Sequence, residues 1–154
     1  MSIEFMLLYI LYAITFISLA FIPKNKWREA SIAFSFQQCI TWFFGLIVVQ
    51  FNLIAYPVRE LANVNGTSFL FEFIMFPIIS SFFCVFYPLR KSRWMKFVYY
   101  SSFCTVLTIL EVFFEKFTNL IHYIQWDWYV TWITVFGAFL LIWKFYKWFF
   151  QIQV

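Results

Sequence analysis

Two glutamates four residues apart, Glu111 and Glu115, interrupt a long apolar stretch. That spacing puts both carboxylates on one face of a helix. Neighbouring carboxylates can share a proton, divide acid and base roles, or ligate a cation. The face continues in both directions, because Ser101, Cys104, Thr108, Glu111, Glu115, Thr118, His122 and Gln125 recur every third or fourth residue. Most residues between them are apolar, so the pattern predicts one polar stripe on an otherwise greasy helix. Glu72 is a third acid expected at similar depth, and Arg59 and Lys116 are the only nearby cations. Three acids against two cations leave the group short of positive charge. A bound proton, a metal ion or a cationic ligand would complete it. The candidate ligand or proton site is therefore Glu72, Glu111, Glu115, Arg59, Thr108 and His122.

A structural reading stands beside this one. The acids could pair with Arg59, Lys116 and hydroxyl donors, locking the helices together through bonds of about 0.6–2 kcal/mol each. His122 and Asn119 are then a solvated cap. Catalysis is the weaker form of the functional reading, since no nucleophile or oxyanion donor is identifiable beside the acids. No phosphate loop, dinucleotide fingerprint, nucleophile elbow or zinc-protease motif is present in the sequence, and no cofactor is implied. His122 is the only histidine, which excludes a two-histidine zinc site within one chain. The three cysteines, Cys39, Cys84 and Cys104, all fall in apolar runs and read as buried structural thiols.

Positioning these residues requires a membrane. Of 154 residues 64% are hydrophobic and 12% charged, too little polar surface for a soluble enzyme or a nucleic-acid-binding module. Five runs approach the roughly 20 apolar residues that cross a bilayer: Phe5–Ile22, Ala30–Ile54, Phe69–Tyr87, Phe97–Ile124 and Trp128–Phe150. They predict an all-α transmembrane bundle of about five spans, forming one domain over residues 1–154. Glu4, with no basic residue before the first run, marks that run as a retained helix rather than a signal peptide. The short break Gln125–Asp127 would make the last two helices tight antiparallel neighbours. Thr131 and Thr134 would then face the polar stripe. Gln37, Gln38 and Thr41 have the spacing of a helix-packing face.

Nine of the eleven basic residues fall on one side of this arrangement, leaving Arg59 and Lys116 on the other. The positive-inside rule then puts the N-terminus outside and the C-terminus in the cytoplasm. The basic face would meet anionic lipid, not nucleic acid. Tyr56, Tyr123, Trp126, Trp128 and Tyr129 would form the outer aromatic belt.

Tyr56-Pro57-Val58-Arg59, Thr67-Ser68-Phe69 with Glu72-Phe73, Tyr87-Pro88, Glu111 with Glu115, and Tyr123-Ile124-Gln125-Trp126-Asp127-Trp128-Tyr129 together resemble an uncharacterised family of small multi-spanning membrane proteins. That family is associated with spore-forming Gram-positive bacteria, so the resemblance implies a bacterial cytoplasmic membrane. It carries no activity or site residues. Three functions remain open: a structural or accessory membrane subunit, an oligomeric proton or cation transporter, or a membrane enzyme acting on lipid or envelope substrates. Partners would be the bilayer and further copies of the chain or a larger membrane complex.

Overall fold

Five helical segments follow the apolar runs: α1 (Ile3–Ser18), α2 (Trp27–Gln50), α3 (Phe69–Val85), α4 (Arg93–Phe117) and α5 (Trp128–Phe149). The computed structural model describes residues 3–152. α1 with the tight turn that prolongs it to Phe21, α2 with its leading turn from Lys24, α4 and α5 are each long and apolar enough to cross a membrane. α3, at 17 residues, is shorter. The architecture is an all-α bundle with one two-stranded ladder, β1 (Ile54–Ala55) against β2 (His122–Tyr123).

Side-chain bonds fix which helix ends lie together. The Ser81 hydroxyl donates to the Ala30 carbonyl, Tyr99 to that of Phe83, and Tyr146 to the Glu29 carboxylate. These bonds gather the start of α2, the end of α3, the start of α4 and the end of α5, where the basic residues cluster. At the opposite end Asn119 donates to Glu4, and the amide of Val58 donates to the carbonyl of Asn119. The loops 51–68 and 118–127 meet there. The bundle thus has a basic end and a loop end, with Arg59 and Lys116 at the latter.

The basic end is filled by Phe83, Phe139, Trp143 and Tyr146, with Tyr87 stacked on Trp143 at 3.6 Å between ring centroids. The loop end packs Leu8, Leu70, Phe71, Phe114, Leu120 and Ile121. Exposed large apolar side chains cover the flanks, among them Ile14 on α1, Phe43 on α2, Ile109 and Phe113 on α4 and Ile133 on α5. Such a surface suits lipid rather than water.

α3 departs from regular winding. Its first seven residues, Phe69–Met75, form a π-helix, and the amide of Phe76 bonds back to the carbonyl of Phe71. Pro77 has no N–H, so it supplies no donor to the carbonyls four and five residues before it. Those are the carbonyls of Phe73 and Glu72, and α2 satisfies both. Gln38 Nε2 donates to Phe73 at 2.9 Å, and the Thr41 hydroxyl donates to Glu72. The face of α2 toward α3 is Ala30, Ala33, Gln37, Thr41 and Gly45, small or hydrogen-bonding residues that permit close approach.

Two expectations from the sequence change here. The fourth helix stops at Phe117 instead of running to Ile124, because Thr118 turns extended at φ −143°, ψ 168°. Its hydroxyl caps the Phe114 carbonyl at 2.6 Å, and Leu120 and Ile121 fold back into the loop-end core. Likewise α2 ends at Gln50, and Ile54 belongs to β1. Thr118, His122 and Gln125 therefore leave the helical stripe. Cys84 and Cys104 are buried, whereas Cys39 is exposed on the outward face of α2, so only two of the three thiols are core residues.

Candidate functional site

Pairing of β1 with β2 builds the site. Ile54 lies opposite Tyr123 and Ala55 opposite His122, and the amides of Ile124 and Gln125 both donate to the Leu53 carbonyl. Alternation along the ladder turns Ile54 inward, then Tyr56, while His122 faces out and Tyr123 in. The two tyrosines each reach an acid. Tyr56 Oη donates to Glu72 Oε1 at 2.9 Å, and Tyr123 Oη donates to Glu111 Oε1 at 2.8 Å. Thr131 Oγ1 also donates to Glu111 Oε1, at 2.8 Å, and accepts from the Trp126 indole at 2.7 Å. The chain Trp126–Thr131–Glu111–Tyr123 joins α4, α5 and the connecting loop.

Glu72 and Glu111 line one cavity of about 460 Å³ between α2 and α5. Its polar lining is Thr41, Tyr56, Glu72, Glu111, Trp126, Thr131 and Thr134; the rest is apolar. Each carboxylate spends Oε1 on protein donors. Among the described residues neither Oε2 has a hydrogen-bond partner. Thr67 stands behind the Glu72 corner, fully buried and outside the cavity lining. Gly45 closes this corner: a Cβ there would lie 2.9 Å from Glu72 Cγ, 3.0 Å from Cδ and 3.1 Å from Thr67 Oγ1.

Electrostatics at the two tyrosines fit donor roles. Burial first, and then the Glu72 and Glu111 carboxylates, push the Tyr56 phenol well above its ordinary range. Burial and then Glu111 do the same to Tyr123. Both phenols hold their protons, and a hydrogen bond to an ionised acceptor is roughly twice as strong as a neutral one.

Other sequence candidates lie elsewhere. Arg59 makes no ion pair with any of the three acids; it donates to the backbone carbonyls of Tyr56, Asn65 and Ala62 and so shapes the loop that carries Tyr56. Glu115 lines a separate exposed crevice with Lys116, Asn119 and His122. The pair Glu111/Glu115 is thus divided by a turn of chain, and the acid that shares the cavity with Glu111 is Glu72. Thr108 is buried, but its hydroxyl bonds to the carbonyl of Cys104 on its own helix. His122 lies on the exposed side of the ladder.

Sequence reasoning missed Tyr56, Tyr123 and Trp126 as site residues by placing them in an aromatic belt. Tyr56 is 6% exposed, and the other two are half-buried against the acids. It missed Gly45 and Thr67 as well. Pro77 inside an apolar run signals only the contact with Gln38 and Thr41, which bond the carbonyls it leaves free, and no residue pattern marks the others. No family model, curated protein or solved structure matches this chain.

Proposed function

We propose that the chain is an integral, multi-pass protein of a bacterial cytoplasmic membrane, with the loop end outside, and that it serves as an accessory subunit binding a cationic group between Glu72 and Glu111. One observation carries this reading: two carboxylates share one cavity in which no lining residue is basic. A charged side chain deep in a bilayer costs at least about 2.5–3.5 kcal/mol, so two of them without a counter-charge need a ligand or protons. The cations that could have balanced them are engaged elsewhere, Arg59 on backbone carbonyls and Lys116 in the outer crevice. Binding is favoured over conduction because the aromatic core of Phe83, Phe139 and Trp143 fills the basic end beneath the cavity.

A structural role has its own support, since Glu111 ties α4 to α5 through Thr131. Difference infrared spectroscopy separates the two. Protein in phosphatidylcholine nanodiscs is perfused with sodium, ammonium or methylammonium, and the carboxylate stretch is followed. A cation site gives a saturable shift that is reduced in Glu72→Gln and Glu111→Gln and absent in the double variant. A static lock gives no shift with any of the three cations, and that result overturns the proposal.

A further inference from the structure

Resting on that reading, we infer that the ligand is an amphiphile with a primary ammonium head, admitted from the side between α2 and α5. The cavity is long, and Glu111, Tyr56 and Trp126 crowd one end of it. Along α2 it runs from Ile40 to Val48, and along α5 from Thr131 to Leu141, about 12 and 15 Å at the helical rise. Glu111, Thr131 and Trp126 stand at the loop end; Ile40, Phe44 and Leu141 stand toward the middle of the bundle. A lipid beside the bundle has the same polarity, its head at the interface and its chain toward the midplane.

The side wall is open. α2 and α5 touch near the basic end, where Phe36 stacks on Phe145 at 3.8 Å between ring centroids. Farther along they separate. A Cβ on Gly137 would meet nothing within 4 Å, and Phe44 and Leu141 at the margins are exposed. Small residues on this face of α5, Thr134, Gly137 and Ala138, keep the slot wide enough for a chain.

Head-group chemistry follows from the unpartnered atoms. The Oε2 oxygens of Glu72 and Glu111, two acids that line the cavity, lack donors among the described residues. A primary ammonium presents three N–H donors and one positive charge, enough to bond both oxygens and offset their charge. A quaternary head has the charge without the donors, and an alcohol has a donor without the charge. A metal ion is a poorer match: among the described residues no three His, Cys, Asp or Glu side chains converge.

The test uses full-length protein in phosphatidylcholine nanodiscs and a long-chain primary amine carrying a diazirine in its tail. After photolysis the labelled residues are mapped by mass spectrometry. Labelling is expected to concentrate at Phe44 and Leu141, to fall about tenfold in the Glu72→Gln/Glu111→Gln variant, and to be competed by the unlabelled amine but not by the alcohol of equal chain length. That fall corresponds to about 1.4 kcal/mol, just below the range of about 1.5–3 kcal/mol for a hydrogen bond to a charged group. Gly137→Leu fills the opening and should suppress tail labelling while leaving the infrared response to methylammonium intact. Label spread evenly over outward residues such as Ile109 and Phe113, or unaltered by the glutamine substitutions, overturns the inference. If methylammonium still shifts the carboxylate band in that case, the cation site stands and only the amphiphile is lost. If it does not, both readings fall together.

Discussion

Gly45 and Gly137 sit on facing helices, and the same substitution to alanine should move stability in opposite directions. At Gly45 the new Cβ would stand 2.9 Å from Glu72 Cγ and 3.0 Å from Cδ. Ordinary carbon contacts lie at about 3.5–4.0 Å, so Glu72 must retreat by roughly 0.6–1 Å. Its Oε1 is held by Tyr56 at 2.9 Å, and a retreat of that size breaks the bond. Overpacking costs about 1–3 kcal/mol and the lost bond about 0.5–1.5 kcal/mol. Better helix propensity returns about 1 kcal/mol. The balance is a loss of about 2 kcal/mol. Gly137→Ala meets nothing within 4 Å and keeps only the propensity gain, about 1 kcal/mol. Reversible unfolding in bicelles should therefore place the two variants about 3 kcal/mol apart, since 2 and 1 add with opposite signs. Equal effects, or a neutral Gly45→Ala, would refute the claim that Gly45 seats Glu72.

Other consequences can be measured separately. Pro77→Ala restores an N–H within reach of the Glu72 and Phe73 carbonyls, so Thr41→Val, costing about 1 kcal/mol in the native chain, should cost measurably less in that background; a double-mutant cycle reads the coupling. Thr131→Val and Tyr123→Phe each remove a donor to Glu111 and should together cost more than the sum of the single losses, because one carboxylate oxygen accepts both bonds and either donor alone still satisfies it. Arg59→Lys loses a planar fork that reaches three carbonyls, and limited proteolysis within residues 60–66 should accelerate. A cysteine near Asn65 should react with an impermeant thiol reagent in intact cells and one near Ser92 should not; the reverse pattern contradicts the proposed orientation.

The helices were legible in the sequence because length and hydropathy alone decide what can cross a bilayer. Their ends were less so. Thr118–Ile121 is as apolar as a helix terminus, and nothing local says that Leu120 and Ile121 turn back into the Leu8/Leu70 core. Glu111 was legible as a buried acid from its setting, and Thr131 as its neighbour from the distance past the turn. Glu72 as the second member of the pair was not, because helical spacing favours Glu115. The true pairing depends on a contact between chain segments that no periodicity records. Tyr56 and Tyr123 illustrate the same limit: an aromatic at a span end reads as an interfacial anchor until the two-residue ladder turns it inward.

That ladder and the π-turn belong to one construction. Without Pro77 the start of α3 could wind regularly, its carbonyls would be satisfied within the helix, and Thr41 and Gln38 would lose their acceptors. α2 would then have less to hold it against the Glu72 end of α3, where Gly45 now permits contact. Without the ladder, Tyr56 and Tyr123 would have no reason to sit over the acids. The ladder tyrosines bond one oxygen of each carboxylate, and the other oxygen has no hydrogen-bond partner among the described residues. Bonding the Oε1 oxygens alone fixes the orientation of two acids without neutralising them. A purely structural lock gains nothing from leaving the Oε2 oxygens open, whereas a cation site requires it.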